Sequence, residues 1–246
     1  MSSDITPSAI LNIITGYLTT AVEKNIITLS VSGDPQTDSL ANQKTIADSL
    51  KAFTLAHPLF STNGILFEVP LASKFWCDFI IRTQDNRLWL PINLKVSSFK
   101  GRDDLSSKEG VFYALTGIDP QTRSVRSWDS YCKELASHIR RDNCDADYYY
   151  LVVRKSRPDD SKADVFWTTL LTLHSLYPNG NRPPFQCCWK ENLEPAQRPR
   201  NEAIAYILSV LEATLVQRAL ALRSFSKYVA PLLRGWDRKT AETNPA

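Results

Sequence analysis

The chain has 246 residues, 43% of them hydrophobic, and a formal net charge of +3, which excludes wholesale disorder and allows a core large enough for an enzyme. No run approaches the roughly 18 uninterrupted apolar residues of a membrane span, and Met1-Ser2-Ser3-Asp4 carries an acid where a signal peptide has a basic patch, so a cytoplasmic chain without a membrane partner is expected. The five cysteines, Cys187 and Cys188 adjacent and Cys77, Cys132 and Cys144 scattered, have no metal-ligand spacing and read as reduced thiols.

In chain order, residues 6–26 read as a helix, with Thr6-Pro7 as cap and first turn and Ile10, Ile13, Ile14, Leu18 and Val22 at helical spacing. A Gly-Asp-Pro turn at 33–35 precedes a second helix over 38–56, apolar at Leu40, Ile46, Leu50 and Phe53, with Lys44 and Asp48 four residues apart on its surface. Ile65 to Pro70 reads as a strand carrying Glu68. Ser106 and Glu109 make a capping box for a helix that Gly117 ends. Residues 126–142 form an amphipathic helix with Trp128, Tyr131, Leu135 and Ile139 on one side. Tyr148 to Val153 is a strand, Val165 opens another ordered segment through His174, and a long apolar helix starts near Glu202 and suits packing or self-association, as in a homodimer. Residues 237–246 look frayed. Strands alternating with helices around one early hairpin indicate an α/β fold with a mixed central sheet flanked by helices, in a single domain over 1–246.

That hairpin carries the chemistry. Phe75-Trp76-Cys77-Asp78-Phe79-Ile80-Ile81 and Leu90-Pro91-Ile92-Asn93-Leu94-Lys95-Val96 are β-prone runs separated by turn residues Gln84-Asp85-Asn86-Arg87. With Asp85-Asn86 as a two-residue turn, Gln84 pairs with Arg87 and Asp78 lies opposite Asn93. Side-chain alternation puts Lys95 on that same face, while Ile92, Leu94 and Val96 point into the core. Three polar groups then converge within roughly 5–8 Å. A carboxylate and an amide oxygen can hold magnesium, and a nearby ammonium can orient or help deprotonate an attacking water. The same residues would also serve as a buried Asp-Lys pair closing a structural hairpin.

Asp78 followed by Asn93-Leu94-Lys95 resembles the PD-(D/E)xK nuclease signature, in the variant of type II restriction endonucleases that has asparagine for the second acid. The continuation Val96-Ser97-Ser98 and then Ser106 to Gly117 is similar to the same enzymes, with a weaker echo in residues 165–192. The resemblance implies a restriction-endonuclease-like core: N-terminal helices over 1–60, a catalytic core over about 61–175, and DNA-recognition loops with C-terminal helices over about 176–246. It also implies magnesium-dependent, sequence-specific cleavage of double-stranded DNA, with Asp78 and Asn93 on the metal and Lys95 beside the attacking water. Asp48 or Glu68 stand as candidate further carboxylates. Two residues depart from the family pattern: Cys77 stands where proline is usual, and Asn93 is neutral. Alternatives are therefore a non-catalytic DNA-binding protein on a degenerate nuclease fold, or a structure-specific repair nuclease.

Charge is unevenly spread. Residues 1–70 hold three basic residues (Lys24, Lys44, Lys51) against six acids, and residues 71–246 hold 26 basic and 20 acidic, an excess suited to a DNA-facing surface. Lys100 and Arg102, just after the catalytic strand, and Lys108 near the start of its helix are placed to grip phosphates. The stretch Asn179-Gly180-Asn181-Arg182-Pro183-Pro184-Phe185-Gln186 is similar to a segment of restriction enzymes and offers Asn179, Asn181, Arg182 and Gln186 for paired hydrogen bonds to base edges. Arg198 and Arg200 form a second basic loop. His57, His138 and His174 have no zinc spacing, and neither a Gly-x-Ser-x-Gly elbow nor a Gly-rich phosphate loop is present.

Overall fold

The computed structural model describes residues 5–71, 75–105, 107–139, 144–155, 164–181 and 183–228. Helices α1 (Pro7–Glu23), α2 (Pro35–Ala56) and α3 (Pro58–Thr62) lead into strands β1 (Ile65–Glu68), β2 (Phe79–Thr83) and β3 (Trp89–Ser97). After the two-residue β4 (Asp103–Asp104), helices α4 (Lys108–Thr116) and α5 (Trp128–His138) carry the chain to β5 (Tyr149–Arg154) and β6 (Val165–Thr169). Short strands β7 (Tyr177–Pro178) and β8 (Phe185–Cys187) precede α6 (Arg200–Tyr228). The main sheet has five strands in the order β1-β2-β3-β5-β6, and β4-β8-β7 form a separate small sheet. Only the β3–β5 contact is parallel, as a helical crossover requires, so the sheet is mixed.

Local chemistry sets the element ends. Thr6 caps α1 by accepting the Ala9 N–H at 3.2 Å, with Pro7 in the first turn. Gly117 ends α4 at φ 71°, its N–H returning to the Tyr113 carbonyl at 2.7 Å. The cap of α4 is Ser107 rather than Ser106, which lies outside the described residues, and Ser107 makes no side-chain capping bond. Helix α2 begins at Pro35, inside the stretch expected as a turn, because the Asp38 carboxylate gathers Ser30 Oγ, Ser32 N and Ser32 Oγ at 2.8–2.9 Å and closes the loop onto the helix. These donors hold Asp38 well below the usual carboxylate range.

The β2–β3 register pairs Phe79 with Ile92 and Arg82 with Trp89, the alignment deduced from the hairpin. The turn differs. Thr83 N–H bonds the Leu88 carbonyl at 3.1 Å, leaving a four-residue loop, Gln84 to Arg87, with Asn86 at φ 56°. Asp85 causes this by binding Thr83 Oγ1 at 2.7 Å and Arg87 Nε at 2.6 Å, so no Gln84–Arg87 pair closes.

The sheet separates two cores by side-chain alternation. Tyr149, Leu151 and Val153 of β5 join Ile10, Leu11, Ile14 and Leu18 of α1 and Ile46 and Leu50 of α2, with Leu94 and Val96 packed against them. Tyr148, Tyr150 and Val152 join α4, α5 and the first half of α6 on the other side. By length and composition α6 could cross a membrane, but here Ala203, Ile204, Ile207, Val210, Leu211 and Thr214 are built into that core. The five cysteines form no disulfide.

Helix α4 packs so closely on Tyr148, the residue before β5, that a Cβ at Gly110 would stand 2.8 Å from Tyr148 Cζ. The Tyr148 ring cannot yield freely, since its hydroxyl donates to the Trp76 carbonyl at 2.5 Å. Gly110→Ala should therefore destabilise the protein by about 1–3 kcal/mol despite alanine's better helix propensity. Urea unfolding checks this, and an unchanged or higher midpoint would contradict the close contact.

Candidate metal centre and nucleic-acid interface

Strand β3 is longer than the strand it pairs with. Its β2 ladder stops at Ile92, whereas its β5 ladder runs from Ile92 to Ser97, so the β2-side edge of residues 93–97 is left without a strand. The Asp78 carboxylate fills the first open position, Oδ2 accepting the Leu94 N–H at 2.7 Å while Asp78 N–H donates to the Ile92 carbonyl at 2.9 Å. A side chain has replaced a backbone carbonyl, which fixes the carboxylate at the strand edge.

Helix α2 covers the rest of that edge. Gln43 Nε2 donates to Asp78 Oδ1 at 2.7 Å, and Ser39 and Gln43, four residues apart, line a cavity of about 150 Å³ together with Asp78, Asn93, Leu94, Lys95 and Val96. The helix is held in this orientation by its neighbouring stripe: Asn42 exchanges hydrogen bonds of 2.6 and 3.1 Å with the Ser30 backbone, and Asp38 meets Lys155 Nζ at 3.4 Å.

Each polar group at the cavity has a defined state. Burial pushes the Asp78 pKa up, against the Leu94 N–H, the Lys95 charge and the Gln43 amide, which favour the carboxylate. Asn93 Oδ1 is buried with no hydrogen-bond partner among the described residues, an arrangement that costs free energy unless a ligand completes it. Burial lowers the Lys95 pKa, against the opposing pull of Asp78, Asp103, Cys187 and Asp104. Lys95 Nζ donates to the Asp104 and Leu105 carbonyls at 2.7 and 3.3 Å. Two of its three N–H groups are thus committed, and one remains for the cavity it lines. Among the described residues no group of three or more His, Cys, Asp or Glu side chains is placed to hold a metal. A hard cation at this cavity would rest on one carboxylate, amide oxygen and water, and the orphaned Asn93 oxygen fits that need.

The structure brings Asp78, Asn93 and Lys95 together at one cavity. It leaves the two further carboxylates out: Asp48 is exposed on α2, and Glu68 binds Arg82 at 2.6 Å on β1; neither lines the cavity. Residue 48 is five positions beyond Gln43, about 140° around the helix, so the two cannot share a face. Gln43 and Ser39 had no distinguishing signal beyond their four-residue spacing.

The expected DNA-contacting residues divide. Lys100 and Arg102 are exposed, the latter over the Tyr177 ring at 3.5 Å. Asn181 is also exposed, its N–H capped by Asn179 Oδ1 at 3.0 Å. Arg182 lies outside the described residues, as do residues 237–246. Asn179, expected at base edges, is instead buried, and its amide and that of the half-buried Gln186 both donate to Asp104 Oδ1 at 2.9 Å. Lys108 donates to the Arg126 carbonyl and faces Trp128. Arg198 donates to the Leu173 carbonyl, and Arg200 bonds the Ala146 and Ala114 carbonyls at 2.9 and 2.8 Å. These three cations are committed to internal carbonyls.

No protein-family model matches this chain, and no curated protein matches it.

Because its folded-state pKa is raised, Asp78 stabilises the fold only in its protonated form, and that contribution is lost as pH rises through the raised value. Above that value the ionised carboxylate is a cost. Asp78→Asn, with Gln43 turning its own amide to present oxygen, should raise the unfolding free energy by about 0.5–2 kcal/mol at a pH above that raised value. Cation affinity should conversely fall with acid at a pH above the ordinary aspartate value of about 3.9. Chemical unfolding and manganese titration across pH test the two signs. A destabilised Asp78→Asn protein would contradict the first, and affinity constant down to pH 4 the second.

Proposed function

We propose that this protein is a magnesium-dependent endonuclease of double-stranded DNA, on a restriction-endonuclease-like core, with its reaction at the cavity beside Asp78. The observation that carries this reading is a carboxylate, an orphaned amide oxygen and an ammonium meeting around one cavity at a strand edge that has no pairing strand. Asp78 and Asn93 would hold the magnesium ion, which when bound supplies Lewis-acid polarisation of the phosphoryl oxygen and a more acidic water. Because Asn93 brings no charge, the free protein should bind magnesium weakly, with a DNA phosphate completing the shell.

Lys95 supplies orientation. With Asp104 and Leu105 holding two of its N–H groups, the third can fix a water oxygen in line with phosphorus or steady a phosphate oxygen as charge builds there. The water oxygen bonds to phosphorus as the bond to the departing sugar oxygen breaks, the water proton passing to solvent and the alkoxide being protonated as it leaves. Gln43 and the Leu94 N–H keep Asp78 from rotating. Lys100 and Arg102 are the first exposed cations after β3 and suit phosphate contacts that hold any DNA sequence alike. Base reading falls to exposed groups such as Asn181, with Asn179 and Gln186 acting as the frame behind them.

A second reading, DNA binding without cleavage, is favoured by one specific observation: the cavity offers a single acidic ligand. Incubation of plasmid DNA with protein and magnesium separates the two. Discrete fragments are expected; retardation without cleavage would favour the binder, and cutting governed by forks or mismatches a repair nuclease. Asp78→Ala and Lys95→Ala should each lower cleavage by about a hundredfold or more with the fold intact by circular dichroism. Full activity in either variant would remove this cavity as the reaction centre.

A further inference from the structure

Among the described residues, none packs against the end of α6. From Ala219 to Tyr228 every residue is exposed, including Leu220 at 51%, Leu222 at 67% and Phe225 at 47%. Exposed side chains of this size on several faces call for a covering surface.

The same helix also carries an uncovered groove. Leu135 and Ile139, from α5 and the residue after it, with Leu208, Leu211, Leu215 and Ala219 of α6, enclose a cavity of about 680 Å³. Glu212 is the one charged residue that lines it. A carboxylate at the edge of an apolar groove selects an occupant that is apolar and carries a cation beside its apolar face.

The exposed end of α6 has that composition. Glu212, Val216, Ala219 and Arg223 recur at spacings of four, three and four along one face of the helix, and Glu212, Val216, Ala219 and Arg223 are all exposed. The order along this stripe is acid, apolar, apolar, base, so reversing its direction places each charge against its opposite. A stripe of this kind is self-complementary under a two-fold axis perpendicular to the helix.

We propose that a second copy of this chain docks antiparallel along α6, across a two-fold axis between Gln217 and Arg218. Glu212 then meets Arg223 of the partner subunit, and Val216 meets Ala219 of the partner subunit. The projecting half of each helix, residues 219–228, covers the other copy's groove along residues 208–216, so one contact explains both the unpacked helix end and the uncovered groove. Small Ala219 at the centre lets the two backbones approach, and the long stem of Lys227 can lie over Leu208 of the partner subunit with its ammonium in water. The proposal is independent of the nuclease reading.

Sedimentation equilibrium of the full chain tests it. The wild type should be a concentration-dependent dimer. Val216→Asp, at a position exposed in the single chain, should yield a folded monomer. Glu212→Lys and Arg223→Glu should each weaken the dimer about tenfold or more by setting like charges together twice, and the double variant should recover most of that loss. A wild type that stays monomeric at all concentrations would overturn the proposal, whether its groove is filled by the chain's own C-terminal residues or the helix associates with phosphatidylcholine vesicles. A dimer insensitive to Val216→Asp would place the interface elsewhere, and a double variant as weak as the singles would overturn the antiparallel register.

Discussion

The hydrogen bond from the Leu94 N–H to the Asp78 carboxylate is the contact around which the candidate site is built. Strand β3 extends past the end of β2, and an unpaired N–H at a covered strand edge must find an acceptor. Asp78 supplies it from the residue just before β2, at 2.7 Å. In doing so the carboxylate becomes part of the sheet's own hydrogen bonding, held by the strand on one oxygen and by α2, through Gln43, on the other. A longer β2 would give Leu94 a backbone partner and leave no room for the cavity.

Lys95 links this edge to the opposite side of the sheet. Its ammonium donates to the Asp104 and Leu105 carbonyls, while the Asp104 carboxylate gathers Asn179 and Gln186. The small β4-β8-β7 sheet is therefore fastened to the cavity through one residue, Asp104, whose backbone holds the lysine and whose side chain holds the turn leading to Asn181. Helix α6 reaches the same turn from behind, with the Asn179 N–H donating to Thr214 Oγ1 at 3.2 Å and Arg218 donating to the Asn181 carbonyl. Movement of that turn by a bound ligand would be felt at Lys95 through this chain of bonds.

Much of this arrangement was legible in the sequence where a short period governs it. The hairpin register followed from alternation along two half-buried strands, because a slip by one residue would turn Phe79, Ile81 and Ile92 out of the core. The turn was not legible, since Asp85 uses its side chain against Thr83 and Arg87 in place of a further backbone pair. Five-residue α3 has too few positions for a periodic signal. Asn179 and Gln186 looked like outward-facing turn residues because their acceptor, Asp104, lies 75 and 82 residues away in the chain. Gln43 escaped notice for a related reason: α2 is polar on much of its surface, and only the tertiary position of Asp78 picks out that residue from Lys44 or Asp48.

The proposed function requires that the unpaired edge of β3 be a cation site completed by the buried Asn93 oxygen. Anomalous diffraction from crystals of the protein with double-stranded DNA and manganese locates the ion directly. A peak is expected within coordination distance of both an Asp78 carboxylate oxygen and Asn93 Oδ1; a peak away from both residues, or none in crystals whose DNA phosphate lies in the cavity, would contradict such a site.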